Sequence, residues 1–206
     1  MTRTIKKAAE RRKEIIRAAR KHFQTKDYRK LTMQELMDKL GIAKGTLYHH
    51  FSSKGEILEA VVEDMVDDEL TKKTELLKAN KELSALEKLK LLVTEDSMER
   101  DNEQLLENLH HPDNALIHAR HIARFLIRLA PLYAEVIAEG CKEGVFKTEY
   151  PLECAEFLLA GVQFLTDVGF YPWDMKHLER RINAFPVLIE VQLSAPKGSF
   201  GFLNKR

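Results

Sequence analysis

The 206-residue sequence predicts an all-α protein of nine helices. Apolar residues recur every three or four positions along most of the chain, which is the spacing of one face of an α-helix. Strict alternation of apolar and polar residues, which marks a half-buried β-strand, is almost absent. The chain is long enough for one or two compact domains, each with its own core.

The charge of the sequence is uneven along its length, although the formal net charge is only +1. Residues 1–54 hold 15 Lys and Arg against 5 Asp and Glu, and the remainder holds 18 against 27. A basic end on an acidic body favours a polyanionic partner at that end. A solvated helix surface would give the same composition, so charge alone leaves both interpretations open.

An apolar stripe predicts the first helix, and capping residues predict the start of the second. The first helix carries one apolar stripe among many Lys and Arg residues, and this stripe consists of Ile15, Ile16, Ala19 and Phe23. The second begins at "LTMQEL", where Thr32 can cap the helix and Glu35 can cap back. Leu31 and Leu36 occupy the two positions of a hydrophobic staple. Gly41 ends this helix, because glycine readily adopts the left-handed conformation common at helix ends.

The third helix is short and ends near His50 or Phe51. Ala43 stands at its cap position and offers no side-chain oxygen to the first free amides. Leu47 and Phe51 lie four residues apart and are predicted to point inward. The outward face then consists of small or polar residues, which are Lys44, Gly45, Thr46, Tyr48 and His49.

Four more segments follow the same helical pattern before the last pair. Ser53, with Glu56 three residues later, should begin the fourth helix with a capping box. Helices are then predicted within residues 85–99 and 102–109. A long helix covers residues 113–142.

The prolines and the C-terminal tail predict where the helical pattern bends or ends. Pro131 should kink or divide the long helix. The last two helices lie within residues 151–170 and 173–193, and Pro186 should bend the second of them. The tail from Pro196 is polar and contains glycine, so we expect it to be loose.

Two short helices joined by a tight turn at Gly41, after a longer basic helix, form a helix-turn-helix unit. In such units the second helix enters the major groove of DNA, which is wide enough to admit it. Lys54 begins the next helix, where an ammonium and free backbone amides can meet a phosphate together. The predicted DNA-binding residues are Thr32, Lys44, Gly45, Thr46, Tyr48, His49 and Lys54.

The stretch "LTMQELMDKLGIAKGTLYHHFSSKGEIL" resembles the DNA-binding signature of the TetR family of bacterial transcriptional repressors. The likeness covers about residues 10–60 and includes the turn glycine, the Gly-Thr-Leu-Tyr core and the following Phe-x-x-Lys. It implies an N-terminal three-helix helix-turn-helix domain, here residues 1–54, and a C-terminal helical ligand-binding and dimerisation domain, here residues 55–206. Ala43 departs from the family's frequent Ser or Thr cap, and Gly55 replaces a residue that favours the helix.

The resemblance also implies a ligand-responsive transcriptional regulator, most often a repressor, that binds double-stranded operator DNA as a homodimer. One short recognition helix reads few bases, and a two-fold partner supplies a second half-site. The resemblance implies that the last two helices form a four-helix bundle across the dimer. Their apolar stripes would equally suit the core of one protomer. The predicted interface residues are Phe157, Gly161, Leu165, Val168, Leu178, Ile182, Phe185 and Ile189.

The long helix carries more apolar faces than one core needs. One of its stripes mixes aromatic, cationic and apolar side chains, as the wall of a ligand cavity requires. Arg124 and Arg128 can equally pair with acids of the acidic body. Arg128 makes an apolar small molecule with an anionic or hydrogen-bond-accepting end the first hypothesis for an inducer. The predicted lining residues are Met98, Leu105, Leu109, His121, Phe125, Arg128, Tyr133 and Phe164.

Other classes of function receive less support from the sequence. It contains no nucleophile elbow, phosphate loop, dinucleotide fingerprint or metalloprotease motif, so we expect neither an enzyme nor a cofactor. His118 and His121 have a possible metal spacing, but no Cys or carboxylate completes the set in sequence, so we predict no metal site. An architectural DNA-binding protein without ligand control is the alternative to a regulator.

The sequence predicts a cytoplasmic location. The start "MTRTIKKAAERRKE" lacks the apolar core of a secretory signal. No uncharged apolar run approaches the ~18 residues that a membrane span needs, so we expect no membrane partner. Cys141 and Cys154 have no paired spacing, as in a protein of a reducing compartment.

Overall fold

The computed structural model describes residues 8–94, 98–170 and 172–204. Within these ranges the chain forms nine α-helices and no β-strand, which confirms the all-α prediction and the predicted number of helices. None of the described helices is both long and apolar enough to cross a lipid bilayer. The helices are α1 (Ala8–Phe23), α2 (Met33–Leu40), α3 (Lys44–His50), α4 (Lys54–Ala79), α5 (Ala85–Thr94), α6 (Met98–His110), α7 (Ala115–Glu143), α8 (Pro151–Thr166) and α9 (Met175–Leu193).

The chain divides into two compact units. The first contains residues 1–67 and 98–121, and the second contains residues 68–97 and 122–206. The helices α4 and α7 each begin in the first unit and end in the second. The predicted domain boundary, between residues 54 and 55, falls at the start of α4. The helix-turn-helix segment therefore shares its unit with α6 and the first residues of α7.

The core of the first unit contains the apolar stripes that the sequence predicted. Ile15 and Phe23 of α1 are fully buried. Leu47 and Phe51 are 0% and 2% exposed, so both predicted inward anchors are confirmed. Complete burial of such a side chain contributes about 1.5–3 kcal/mol. The same core includes Leu36 and Met37 of α2, Ile57, Val61 and Met65 of α4, and Leu105 and Leu109 of α6.

A hydrogen-bonded cap marks the start of α2, and a glycine marks its end. The Thr32 hydroxyl accepts from the Glu35 amide at 3.1 Å, and the Glu35 carboxylate accepts from the Thr32 amide at 2.7 Å. The predicted capping box is therefore confirmed. Gly41 adopts a left-handed conformation with φ of 59°, also as predicted, and turns the chain from α2 towards α3.

The start of α4 differs from the prediction in one detail. The Ser53 hydroxyl accepts from the Glu56 amide at 3.2 Å, as expected. The Glu56 carboxylate accepts from the amide and the hydroxyl of Ser52, at 2.7 and 2.6 Å, instead of reaching back to Ser53. Both serines therefore take part in the cap of α4.

The two helix prolines lie inside continuous helices. The helix α7 runs through Pro131 and α9 runs through Pro186, so the division that was one predicted outcome for Pro131 does not occur. A proline removes one amide and leaves the carbonyl four residues earlier without its helical partner. For Pro131 that carbonyl belongs to Ile127, and both residues lie on an exposed part of α7.

The prediction of a loose tail is wrong for the described part of the tail. Phe200 is 4% exposed and belongs to the core of the second unit. The Glu190 carboxylate accepts from the amides of Gly198 and Phe200, at 2.8 and 3.2 Å. A 3-10 helix follows at Gly201–Asn204, with Phe202 packed against the same core. Two aromatic side chains thus anchor a segment whose overall composition is polar.

We expect Gly140→Ala to lower the free energy of unfolding by about 1–3 kcal/mol, the usual cost of overpacking a core. A Cβ at position 140 would lie 2.1 Å from Cδ2 of Phe146, which is 3% exposed, so the ring must move. Gly55→Ala is the matched control. The nearest atom to its new Cβ is 3.7 Å away, and alanine favours a helix over glycine by up to about 1 kcal/mol. Urea unfolding of both variants measures the effects, and stabilisation by Gly140→Ala would contradict this packing.

Candidate nucleic-acid interface

The helix α3 presents two different faces. Leu47 is 0% exposed and faces the core, whereas Tyr48 is 43% exposed. Lys44 and His49 are exposed, and Thr46 is half-buried. A helix this short can therefore be held from one side while its opposite side stays open to a partner.

The N-terminal half of α3 has an accessible backbone. A Cβ added to Gly45 would meet nothing within 4 Å, and Ala43, just before the helix, is exposed. The Lys44 ammonium lies 5.7 Å from the centre of the Tyr48 ring, within the range of cation–π attraction. This face can approach the floor of a groove closely, with an aromatic and a cationic side chain side by side.

Cationic side chains of α1 adjoin the C-terminal end of α3. The Arg12 guanidinium lies 4.9 Å from the centre of the Phe51 ring, and the rings of His49 and His50 are 5.0 Å apart. Burial lowers the pKa of the His50 imidazole. Electrostatic interactions with His49, Arg12 and Arg11 lower that pKa further. A phosphate brought to this end of α3 would meet concentrated positive charge.

Two of the predicted DNA-binding residues have polar groups engaged within the protein. The Thr32 hydroxyl donates to the Glu35 carboxylate at 2.9 Å, and hydrogen bonds from the Thr32 amide and hydroxyl lower the pKa of Glu35. The Lys54 ammonium donates to the carbonyls of Tyr28 and Arg29, at 3.0 and 3.3 Å. Direct contact of Thr32 or Lys54 with DNA stays a prediction.

A buried asparagine that the sequence analysis missed ties α6 to the segment after α1. Asn108 is 5% exposed, and its Nδ2 donates to the carbonyls of Phe23 and Lys26, both at 3.0 Å. Its Oδ1 accepts from the Tyr28 amide at 2.7 Å. A signal was present in the sequence. Asn108 lies three residues after Leu105 on the inward stripe of α6, where a polar side chain must find partners.

The predicted interface residues of α8, α9 and the segment between them differ in exposure. Phe157, Val168 and Ile182 are 72%, 51% and 39% exposed. Phe185 is only 9% exposed, so it is buried within its own protomer. Four of the predicted residues are half-buried, and these are Gly161, Leu165, Leu178 and Ile189.

Further apolar side chains are exposed on α8 and α9, beyond those that the sequence analysis selected for the interface. Their exposed fractions run from 52% to 74%. Single exposed apolar residues are common on monomers, but so many on two helices make this surface a candidate for an interface. These residues are Phe164, Met175, Val187, Leu188 and Val191.

The predicted ligand-binding residues are divided between the two units. Leu105 and Leu109 lie in the core of the first unit, and His121 is 5% exposed in that unit. Tyr133 packs against the core of the second unit, and its hydroxyl lies 3.5 Å from the Leu92 carbonyl. The two leucines therefore belong to the same core as Leu47 of α3.

The remaining predicted ligand-binding residues have more open surroundings. Phe125 is half-buried, whereas Arg128 and Phe164 are exposed. Met98 begins α6, and its side chain lies outside the part of the chain that the structure describes. An open groove of about 700 Å³ lies in the second unit between α5 and the tail, and none of the predicted ligand-binding residues lines it. The predicted pocket stays a prediction.

Two family models match separate parts of the chain. Residues 15–61 match the model described as bacterial regulatory proteins, tetR family. Residues 97–188 match the model described as tetracyclin repressor-like, C-terminal domain. The first match contains α2 and α3, and the second contains α6, α7 and α8. The two matches follow the order of an N-terminal DNA-binding part and a C-terminal part.

Curated proteins are similar to the chain in sequence, and a solved structure shares its fold. The chain is 26% identical over 149 residues to the HTH-type transcriptional repressor KstR2 of Rhodococcus jostii, which is 70% of this chain and 72% of that protein. It is 29% identical over 112 residues to the HTH-type transcriptional regulator TtgR of Pseudomonas putida, a match that spans 53% of each. A transcriptional regulator of Cytophaga hutchinsonii has the same fold, with a TM-score of 0.64 and 24% identity over 88% of this chain and 96% of that one.

Proposed function

Because the chain belongs to the TetR family of bacterial regulatory proteins, we propose that it is a transcriptional repressor that a small molecule releases from operator DNA. The proteins of this family are transcriptional regulators and not enzymes. The observation that carries the proposal is the open, polar face of α3 on a buried apolar anchor. A protein that regulates bacterial genes acts in the cytoplasm, where the DNA is.

In the proposed complex, α3 enters the major groove with its exposed face towards the base edges. Gly45 and the exposed start of α3 allow close approach of the backbone. Tyr48 and Thr46 contact bases, and Lys44 and His49 contact bases or the neighbouring phosphates. The positive charge of α1 beside α3 adds affinity that does not depend on sequence.

The protein binds the operator as a homodimer in this proposal. Seven residues of α3 reach few base pairs, and a two-fold partner doubles the number of bases that are read. The exposed apolar side chains of α8 and α9, including Phe157 and Val191, would be covered by the same helices of the partner. Burial of this surface would stabilise the pair of recognition helices at one fixed spacing.

Release from DNA requires a ligand that distinguishes two arrangements of this dimer. A ligand shifts the equilibrium only if it binds the arrangement unable to reach the operator more tightly. We propose that Phe125 and Arg128 of α7 take part in that site, as an apolar surface and as a group that orients an anionic or hydrogen-bond-accepting end.

Variants of α3 test the proposed DNA contacts. We expect Tyr48→Ala to reduce the preference for operator over non-specific DNA by about 1–3 kcal/mol, because a base contact is lost. Lys44→Ala should weaken binding to all sequences and reduce the salt slope by about one unit if it contacts a phosphate. Tyr150→Ala, at a tyrosine that is 62% exposed in the second unit, is the matched control. Gel shifts at several salt concentrations measure both effects, and parental binding by both α3 variants would refute the contacts.

A charge placed on the exposed face of α8 tests the proposed dimer. We expect Phe157→Glu to convert the protein from dimer to monomer at micromolar concentration, because an unpaired carboxylate in an apolar interface is costly to desolvate. Ile127→Glu changes an apolar side chain of similar exposure on α7, 67% against 72%, and should leave the dimer intact. Sedimentation velocity distinguishes the two states. A monomeric parent protein would contradict the proposal.

Variants of α7 test the proposed ligand site. With a small molecule already found to release the parent protein from its operator, Phe125→Ala and Arg128→Ala should leave DNA affinity nearly unchanged. Both should raise the ligand concentration that is needed for release, since they remove contacts to the ligand and lie outside the DNA-binding helices. Lys142→Ala, at an exposed lysine of the same helix, is the control. If both variants are released at the parental ligand concentration, the ligand site does not include these two residues. If no small molecule releases the parent protein from DNA, an architectural protein is favoured.

A further inference from the structure

The peptide groups of Tyr28 are hydrogen-bonded to two different helices. Tyr28 begins the 3-10 helix Tyr28–Lys30, which lies between α1 and α2. Its amide donates to Asn108 of α6 at 2.7 Å, and its carbonyl accepts from the Lys54 ammonium of α4 at 3.0 Å. This turn is therefore attached to α6 on one side and to α4 on the other.

Lys54 makes several contacts with the turn. Its ammonium also donates to the Arg29 carbonyl at 3.3 Å and lies 4.3 Å from the centre of the Tyr28 ring. A lysine has three N–H donors, so two of them are used inside the protein. Partial burial lowers the pKa of Lys54, because part of the water around the ammonium is displaced. The two carbonyl oxygens and the Tyr28 ring stabilise the ammonium in place of that water.

The turn determines where the DNA-binding helices begin. Leu31, the next residue, is 2% exposed in the core, and Thr32 then caps α2. Gly41 joins α2 directly to the segment that begins α3. Because these connections are short and packed, a shift of the turn is passed on to the recognition helix.

We propose that Lys54 is a positioning residue for DNA recognition, which holds the Tyr28 turn against the start of α4 and supports operator binding through this turn. Asn108 holds the same turn from α6. This inference rests on the proposed function, since it requires an operator. The sequence-based expectation of a phosphate contact is a separate role, because the third N–H of the ammonium makes neither of these two hydrogen bonds.

A salt titration separates the two roles of Lys54. Lys54→Met removes the ammonium and keeps an unbranched stem beside Tyr28. If Lys54 is a positioning residue, we expect this variant to lower operator affinity about ten-fold. Non-specific affinity and the slope of log affinity against log salt should stay parental, because the number of phosphate contacts is unchanged. A lost phosphate contact instead lowers the slope by about 0.9 and weakens binding to both DNAs alike. That second result, or parental operator affinity, overturns the inference and leaves the proposed function standing.

Hydrogen exchange in the DNA-free protein gives a second readout that a phosphate contact would not change. Exchange at residues 27–32 should be faster in Lys54→Met than in the parent. The control variant Lys44→Met, at an exposed lysine of α3, should exchange there at the parental rate. Parental exchange in Lys54→Met overturns the inference. Should Lys54→Met fail to fold, Lys54→Gln takes its place under the same criteria. A parent protein that prefers no DNA sequence refutes the proposed function itself.

Discussion

The burial of Leu47 and Phe51 is the interaction on which the DNA-binding unit depends. The helix α3 has only seven residues and no side-chain cap, whereas isolated helices shorter than about 12–15 residues are marginal in water. Its conformation must therefore come from packing against the core formed with α1, α2 and α4. Because two inward side chains hold the helix, its outward positions need not favour the helix themselves. Gly45 is tolerated for this reason, although glycine is about 1 kcal/mol less favourable than alanine in a helix.

Features decided within a few residues could be predicted from the sequence. The capping box of Thr32 and the left-handed Gly41 each follow from neighbours at most four positions away. The hydrogen bonds of Asn108 could not be predicted in the same way, because their partners lie about eighty positions earlier in the chain. A local pattern indicates that an inward polar side chain needs a hydrogen-bond partner, but it does not identify that partner. The tail was misjudged for a related reason, since Phe200 and its contact to Glu190 depend on the folded second unit.

The same limit applies to the surface proposed for the dimer. Phe185 and Val191 are both apolar residues of α9, and helical periodicity alone cannot say which of them faces the protomer's own core. The structure buries Phe185 and leaves Val191 74% exposed. Pro186 is buried next to Phe185, in the part of α9 that packs inside the unit. Apolar character therefore does not separate residues of the protomer's own core from residues of its exposed surface. Exposure in the folded chain separates them.

Lys54 illustrates how a charge inside a DNA-binding motif can act through geometry. Residues 1–54 contain 15 Lys and Arg against 5 Asp and Glu, so the Lys54 ammonium on the surface would be only one of many contributions to non-specific attraction. Placed between two carbonyls and an aromatic ring, the same group instead restrains the turn that precedes α2. Specific recognition depends on the position of α3 to within a fraction of an ångström, because hydrogen bonds to base edges tolerate little displacement. A restrained turn therefore improves discrimination between sequences, which additional surface charge cannot do.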